Sequence, residues 1–249
     1  MTNNTYKRAY SLVNANLNIL TQSDMSCLVV LSPAGLGKTT LVFKAMAEKG
    51  YIQGTHFLYY NSYFTPLGFY QTLEETTRLK APNILILDDV ETILKDKKII
   101  NLLKASTWEN EKGSRKVNYV STSQKVKENA VDFNGKIILL INEAPESNPM
   151  FKAIVDRVLF CELSFTQNEI IELLEDEIVN QPYKDLSLEK RKMILAFIKK
   201  NITPASQLSF RTLIKAYNNF LYSPTHWQEL TKQSLGKKSE TNQSKQGLI

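Results

Sequence analysis

The residues with the clearest chemical potential are Lys38 and Thr39, joined further along the chain by Asp88 and Asp89. Lys38 and Thr39 stand near the end of the stretch Ser32-Pro33-Ala34-Gly35-Leu36-Gly37-Lys38-Thr39-Thr40. An apolar, β-branched run, Cys27-Leu28-Val29-Val30-Leu31, leads into it, and Leu41-Val42-Phe43-Lys44-Ala45-Met46-Ala47 behind it has helical character. A strand, a glycine-bearing turn and a helix N-terminus in that order make a cradle for phosphate groups, because backbone N–H groups and the positive end of the helix converge there. Gly35 and Gly37 let the backbone bend with its N–H groups turned inward. Pro33, Ala34, Gly35, Leu36, Gly37, Lys38, Thr39 and Thr40 are expected to wrap the phosphates. Lys38 would bring a point charge to the β- and γ-phosphates, and the Thr39 hydroxyl would meet Mg²⁺. Ser32 stands where the general pattern opens with glycine.

The second constellation, Ile84-Leu85-Ile86-Leu87-Asp88-Asp89, is an apolar strand that ends in two acids. A carboxylate at the carboxyl end of such a strand can hold Mg²⁺ directly or through water, a role that falls to Asp88. Asp89 is placed to polarise an attacking water. A carboxylate that only caps a strand–helix turn is the plainer reading, and the cradle upstream weighs against it.

Both motifs need a scaffold, and the rest of the chain supplies one. Residues 6–22 suit an amphipathic helix with Tyr10, Val13, Leu17 and Leu20 at helical spacing. Strands are expected at 27–32, 56–61, 83–90, 136–141 and 158–163, with helices at 38–49, 66–79, near 99–103 and at 149–157. Alternating strands and helices with continuous apolar strands predict a five-stranded parallel sheet covered by helices on both faces. After Ser164 only helices are expected, at 166–180, 187–201 and 207–221, with a short one at 224–234. The chain thus divides into an α/β core with its N-terminal helix (1–164), a small all-α lid (165–230) and a basic, disordered tail (231–249).

Composition narrows the class. A hydrophobic content of 43% is enough for a packed core, which excludes a disordered protein. The two cysteines, Cys27 and Cys161, each lie in an apolar run, so buried thiols in a reducing, cytoplasmic setting are expected. Residues 1–8 have no apolar segment behind them, so no signal peptide is expected. No stretch approaches the ~20 apolar residues of a membrane span, and no membrane role is expected. The net charge of +6 is partly local: Lys232, Lys237, Lys238 and Lys245 face only Glu240 after residue 230. The body is therefore mildly basic, which by itself is weak evidence for a nucleic-acid partner. His56 and His226 lack Cys or His neighbours, so Mg²⁺ is the one metal implied.

With both motifs in place, the chain resembles the AAA+ ATPases, P-loop NTPases whose loop reads Gly-Pro-Pro-Gly-x-Gly-Lys-Thr. The resemblance spans about residues 25–222 and implies ATP binding and hydrolysis with Mg²⁺. It departs at the second acid, where the family usually has Glu and this chain has Asp89. That leaves the general base open between Asp89 and Glu91. The resemblance further implies that Asn142, at the end of the fourth strand, is the polar sensor that orients the lytic water. It implies that Arg157 is an arginine finger reaching a neighbouring subunit's γ-phosphate, and that Arg211 is the sensor arginine of the lid. The bland alternatives are a turn residue for Asn142, a surface ion pair for Arg157 and an exposed helix charge for Arg211.

The polar stretch 116–135 resembles the point where some AAA+ branches insert a DNA-touching β-hairpin. Arg115, Lys116, Lys125 and Lys127 would then meet nucleic acid, with Tyr119 as a stacking surface; a solvated loop is the even alternative. Phe64, Phe69 and Tyr70 suit a core better than a pore.

The resemblance implies a self-assembling ring or filament, with a hexamer favoured, acting on DNA in replication as a helicase or a helicase loader. Its compactness is similar to short ATPases of phages and plasmids, with other replication or mobile-element proteins as partners. The alternative is a slow nucleotide-dependent switch of the STAND type that binds protein partners. A remodeller of protein substrates would want an aromatic-hydrophobic-Gly loop, and Leu67-Gly68-Phe69-Tyr70 has a different order.

Overall fold

The computed structural model describes residues 4–89, 93–108, 115–120, 129–144 and 149–236. The chain opens with α1 (Asn4–Gln22), β1 (Cys27–Leu31), α2 (Lys38–Glu48), β2 (Phe57–Tyr60), α3 (Pro66–Thr77) and β3 (Ile84–Asp88). It continues with α4 (Lys97–Thr107), β4 (Arg115–Asn118), β5 (Ala130–Phe133), β6 (Lys136–Ile141), α5 (Pro149–Val155) and β7 (Leu159–Glu162). Helices follow to the end: α6 (Gln167–Leu173), running into a π-helical segment (Leu174–Val179), then α7 (Leu188–Asn201), α8 (Phe210–Tyr222) and α9 (Trp227–Gly236).

β1, β2, β3, β6 and β7 form the expected five-stranded parallel sheet, in the order β2-β3-β6-β1-β7. The three central strands are apolar throughout because both faces are covered: Ile84–Leu87, Leu28–Val30 and Ile137–Ile141 are all fully buried. β1 lies between β6 and β7, so the chain leaves the sheet at a point where neighbouring connections diverge. Such switch points are where open parallel sheets bind ligands, at the carboxyl ends of the strands.

Several helix starts follow local chemistry. Thr65 caps α3 with its hydroxyl accepting from the Gly68 N–H, and Pro66 fills the first helical position. Asp96 caps α4, Ser187 caps α7 and Ser209 caps α8. At α6, Thr166 and Glu169 satisfy each other's backbone N–H groups in a capping box.

The chain forms two compact units. Lys7–Ser164 is one, and the helices from Phe165 onward, with the first turn of α1 through Tyr6, make up the other. Thr5 belongs with the helical unit because its hydroxyl donates to Glu172 at 3.1 Å. That unit has its own core, built on Leu174, Ile194, Ile198, Leu213, Tyr217 and Trp227. Its boundary differs from the expected residue 230. α9 runs to Gly236 and buries Thr231 and Leu235, so the folded helices extend past the point where a tail was expected.

β4 and β5 pair antiparallel, Arg115 opposite Phe133 and Asn118 opposite Ala130. This ribbon is anchored in the core: Val117, Val131 and Phe133 are buried among residues of α3 and α4. Tyr119 stacks on Tyr70 at 5.2 Å, and Phe64, Phe69 and Tyr70 are buried, which gives them packing roles. Arg115 must be taken out of the expected nucleic-acid set. It is 2% exposed, and its guanidinium donates to the carbonyls of Phe133 and Gly135 and lies 5.3 Å from the Phe133 ring. Arg115 supplies donors from inside to two carbonyls at the link between β5 and β6. Lys116 is exposed, whereas Lys125 and Lys127 lie outside the described residues.

Cys27 and Cys161 are free and buried. Burial pushes their thiols up to about 12 and about 11. Arg115→Ala should remove both internal donors and cost on the order of 3 kcal/mol of stability, read as a lower midpoint in urea unfolding.

Candidate active site

The cradle is built as its residue types require. Gly35 and Gly37 adopt φ of 76° and 82°, the left-handed region where a side chain would be strained. Gly37 is the N-cap of α2 and offers no side chain to the helix end. The first N–H groups of α2, from Lys38 onward, have no intrahelical acceptors, so a phosphate can take them. Ser32, in place of the pattern's glycine, is fully buried, and its N–H donates to the Ile141 carbonyl at 3.1 Å. It ties the start of the loop to the neighbouring strand.

Parallel pairing of β1, β6 and β3 delivers three polar loops to one edge. Thr39 donates to Asp88 Oδ2 at 2.7 Å. Asp88 is 4% exposed, and its other oxygen, Oδ1, accepts from the Asp89 N–H at 3.0 Å. Asp89 has φ of 53°, a left-handed turn that swings its carboxylate off the strand axis, where 42% of the side chain is exposed. Asn142 stands between the two motifs. Its amide oxygen accepts from Lys38 Nζ, and its amide nitrogen donates to Asp89 Oδ1 at 2.7 Å. Lys38 is 6% exposed and lies 4.0 Å from Asp89 Oδ1. Glu91 is outside the described residues.

Two residues of this cluster had not been expected: Tyr59 in β2 and Asn61 just after it. Tyr59 donates to Asp88 Oδ2 at 2.9 Å, and Asn61 Nδ2 reaches Asp89 Oδ2 at 3.5 Å. In register Tyr59 pairs with Ile86, so it shares a face with Asp88 two residues on. Nothing in the string His56–Asn61 marks this; only strand order puts β2 beside the acid strand. Phe43 of α2 packs edge-on to Tyr59 at 5.0 Å. Burial first, and the hydrogen bond to Asp88 second, raise the Tyr59 hydroxyl above its ordinary range, so it remains a donor at neutral pH.

This donor set fits a Mg²⁺–nucleotide. The helix end and Lys38 would face polyphosphate, and Thr39 Oγ1 with Asp88 would offer the hard oxygens that Mg²⁺ prefers.

No family model matches the chain. Among curated proteins it is similar to an uncharacterised 36.7 kDa protein from the nrdC–mobD intergenic region of Enterobacteria phage T4. The two are 24% identical over 251 residues, which is 94% of this chain and 75% of the phage protein. Its structure is similar to domain III of the Thermotoga maritima replication initiation protein DnaA, at 14% identity, TM-score 0.53 and 94% coverage of both chains. It is also similar to the Thermotoga maritima RuvB Holliday junction branch migration motor, at 16% identity, TM-score 0.51, 94% of this chain and 69% of that one. The chain shares the fold of these two proteins.

Arg157, expected from the AAA+ resemblance to be a finger, is not part of the Lys38–Asp89 cluster. Arg157 lies in the turn before β7, at the amino-terminal edge of the parallel sheet, whereas the cradle follows the carboxyl end of β1. These are opposite ends of the sheet, so Arg157 lies away from the cradle of its own chain. Its guanidinium lies 3.9 Å from the centroid of the Trp108 ring. Arg211 is an exposed residue in the first turn of α8, in the helical unit.

Tyr59→Phe removes one of the two hydroxyl donors to Asp88 Oδ2. The Mg²⁺ concentration giving half-maximal nucleotide binding should rise by roughly tenfold, about one hydrogen bond to a charged group, while Mg²⁺-free binding is unchanged. A fluorescent ATP analogue titrated at several Mg²⁺ concentrations reads both.

Proposed function

We propose that the protein is an oligomeric AAA+ ATPase that hydrolyses ATP with Mg²⁺ and acts on DNA, in replication as a helicase or helicase loader or in a related transaction. The observation that carries the nucleotide part is the linked set Lys38–Asn142–Asp89 beside Thr39–Asp88. It gathers a cation, a polar relay and two acids at the end of the phosphate cradle. Bound ATP and Mg²⁺ would supply the transferable phosphoryl group and the counter-charge for its oxygens.

The chain's own residues then divide the work. The N–H groups of the loop and Lys38 bind and orient the phosphates. Asp88, held by Thr39 and Tyr59, keeps its carboxylate toward the metal side. Asp89 accepts a proton from the attacking water, and Asn142 holds Asp89 and Lys38 at a fixed separation. Arg157 acts on a neighbouring copy, where an arginine finger contributes ~10³–10⁵ in rate. Arg211 takes the part of the lid's sensor arginine.

The DNA part draws support from what the similar structures' names state, a replication initiation protein and a branch migration motor, and from the mildly basic body. Lys116 is the described cation of the expected hairpin set that is exposed. A ring of six copies and a phage- or plasmid-type setting belong to the same reading.

A slow nucleotide-dependent switch is the second reading, and one observation favours it. The catalytic acid is the short Asp89, and both its oxygens accept from asparagine amides, Asn142 and Asn61. An acid held at both oxygens is less free to turn toward an attacking water.

Specific ATPase activity measured against protein concentration, with and without DNA, separates the readings. The motor reading expects activity to rise with concentration and again with DNA; a flat, slow, DNA-indifferent rate overturns it in favour of the switch. Lys38→Ala should abolish ATP binding. Asp89→Asn should keep binding and lose about 10²-fold or more in turnover; if Asp89→Asn turns over normally, the base is another residue.

A further inference from the structure

The cleft at the amino-terminal edge of the sheet is not used by the nucleotide cluster. It has a volume of about 650 Å³ and is lined by Asp24, Ser26, Thr107, Trp108 and Arg157, among others. Trp108 is 51% exposed, whereas the other tryptophan, Trp227, is 8% exposed and packed against Phe197 and Phe220. An indole so open to water calls for a reason.

Arg157 provides it. Among the described residues, its guanidinium makes no ion pair and no side-chain hydrogen bond, and its recorded contact is the Trp108 ring. A guanidinium laid on a π-face stays charged, is fixed in direction and keeps its N–H edges free for an anion. The ring itself is fixed. Trp108 caps the buried helix α4, and Ser26 Oγ donates to the Thr107 carbonyl at 2.8 Å, which ties the helix end to the residue before β1.

We infer that Trp108 is a positioning residue for Arg157: it holds the guanidinium outward so that it can reach the polyphosphate of a nucleotide bound to a second copy of this chain. The inference rests on the reading of Arg157 as a finger acting in trans. Misplacing such a group by about an ångström can cost roughly 10²-fold in rate.

The test compares Trp108→Phe, which keeps a π-face, with Trp108→Leu, which keeps apolar bulk without one. Both are checked for native folding by urea unfolding. Trp108→Phe should retain most ATPase activity, and Trp108→Leu should lose roughly 10–100-fold with nucleotide affinity unchanged. Leu matching the wild type, or Phe failing as badly as Leu, overturns the inference.

Mixing experiments distinguish its failure from failure of the underlying reading. Arg157→Ala subunits, with intact cradles, are mixed with Lys38→Ala subunits, which still present Arg157. Restored activity supports a trans finger, and no restoration sinks that reading together with the inference. Trp108→Leu mixed with Lys38→Ala should be rescued in the same way. If the Arg157→Ala mixture is rescued while Trp108→Leu alone is fully active, only the inference falls.

A readout independent of turnover uses the Asp89→Asn variant. Adding ATP should reduce acrylamide quenching of its tryptophan emission as assembly proceeds, with Asp89→Asn/Trp108→Phe as the blank. Assembly seen by light scattering with quenching unchanged would overturn the proposal.

Discussion

A lysine ammonium that is 6% exposed needs oxygen partners, and meeting that need shapes this molecule. Burying a charge without partners is costly, so Lys38 must be answered by acceptors from outside its own loop. Asn142 gives one and Asp89 lies nearby, yet they come from the ends of different strands. Only a sheet that keeps β1, β6 and β3 adjacent and parallel, in the recorded register, brings all three to one edge. The buried apolar strands are therefore more than a core. They set the distances over which a cation, an amide and a carboxylate meet.

The same sheet explains why two adjacent acids differ in exposure. Asp88 is buried, with both oxygens engaged by Thr39, Tyr59 and the next residue's N–H, and so has one geometry. Asp89, turned out through a left-handed backbone, is half-exposed and keeps contact with water. Two neighbouring carboxylates thus sit in different surroundings. Asn61 and Asn142 both touch the outer one, so its position depends on the residues that follow β2 and β6.

Arginine shows how far side-chain type falls short of role. Arg115 and Arg157 are both cations next to aromatic rings, at 5.3 Å from Phe133 and 3.9 Å from Trp108. Arg115 is enclosed and gives its N–H groups to two carbonyls at the link between β5 and β6, which makes it part of the core. Arg157 is open and gives its N–H groups to nothing described. Read as letters, Arg115 and Lys116 looked like a basic pair; alternation along β4 sends the first inward and the second out.

Local order was legible where chemistry is local. The phosphate cradle, the acid strand, the alternation of strands and helices and the change to helices after Ser164 all follow from residue types within a few positions of one another. Glycine freedom, capping hydroxyls and apolar periodicity act over one or two turns of chain, so a linear reading captures them. The partners of Asp88 and Asp89 on and just after β2, the platform under Arg157, the enclosure of Arg115 and the burial of Thr231 and Leu235 were decided by tertiary structure. Each depends on which strands and helices become neighbours. That choice is made by the packing of whole faces, over separations such as the 49 residues between Thr39 and Asp88, which no short window of sequence encodes.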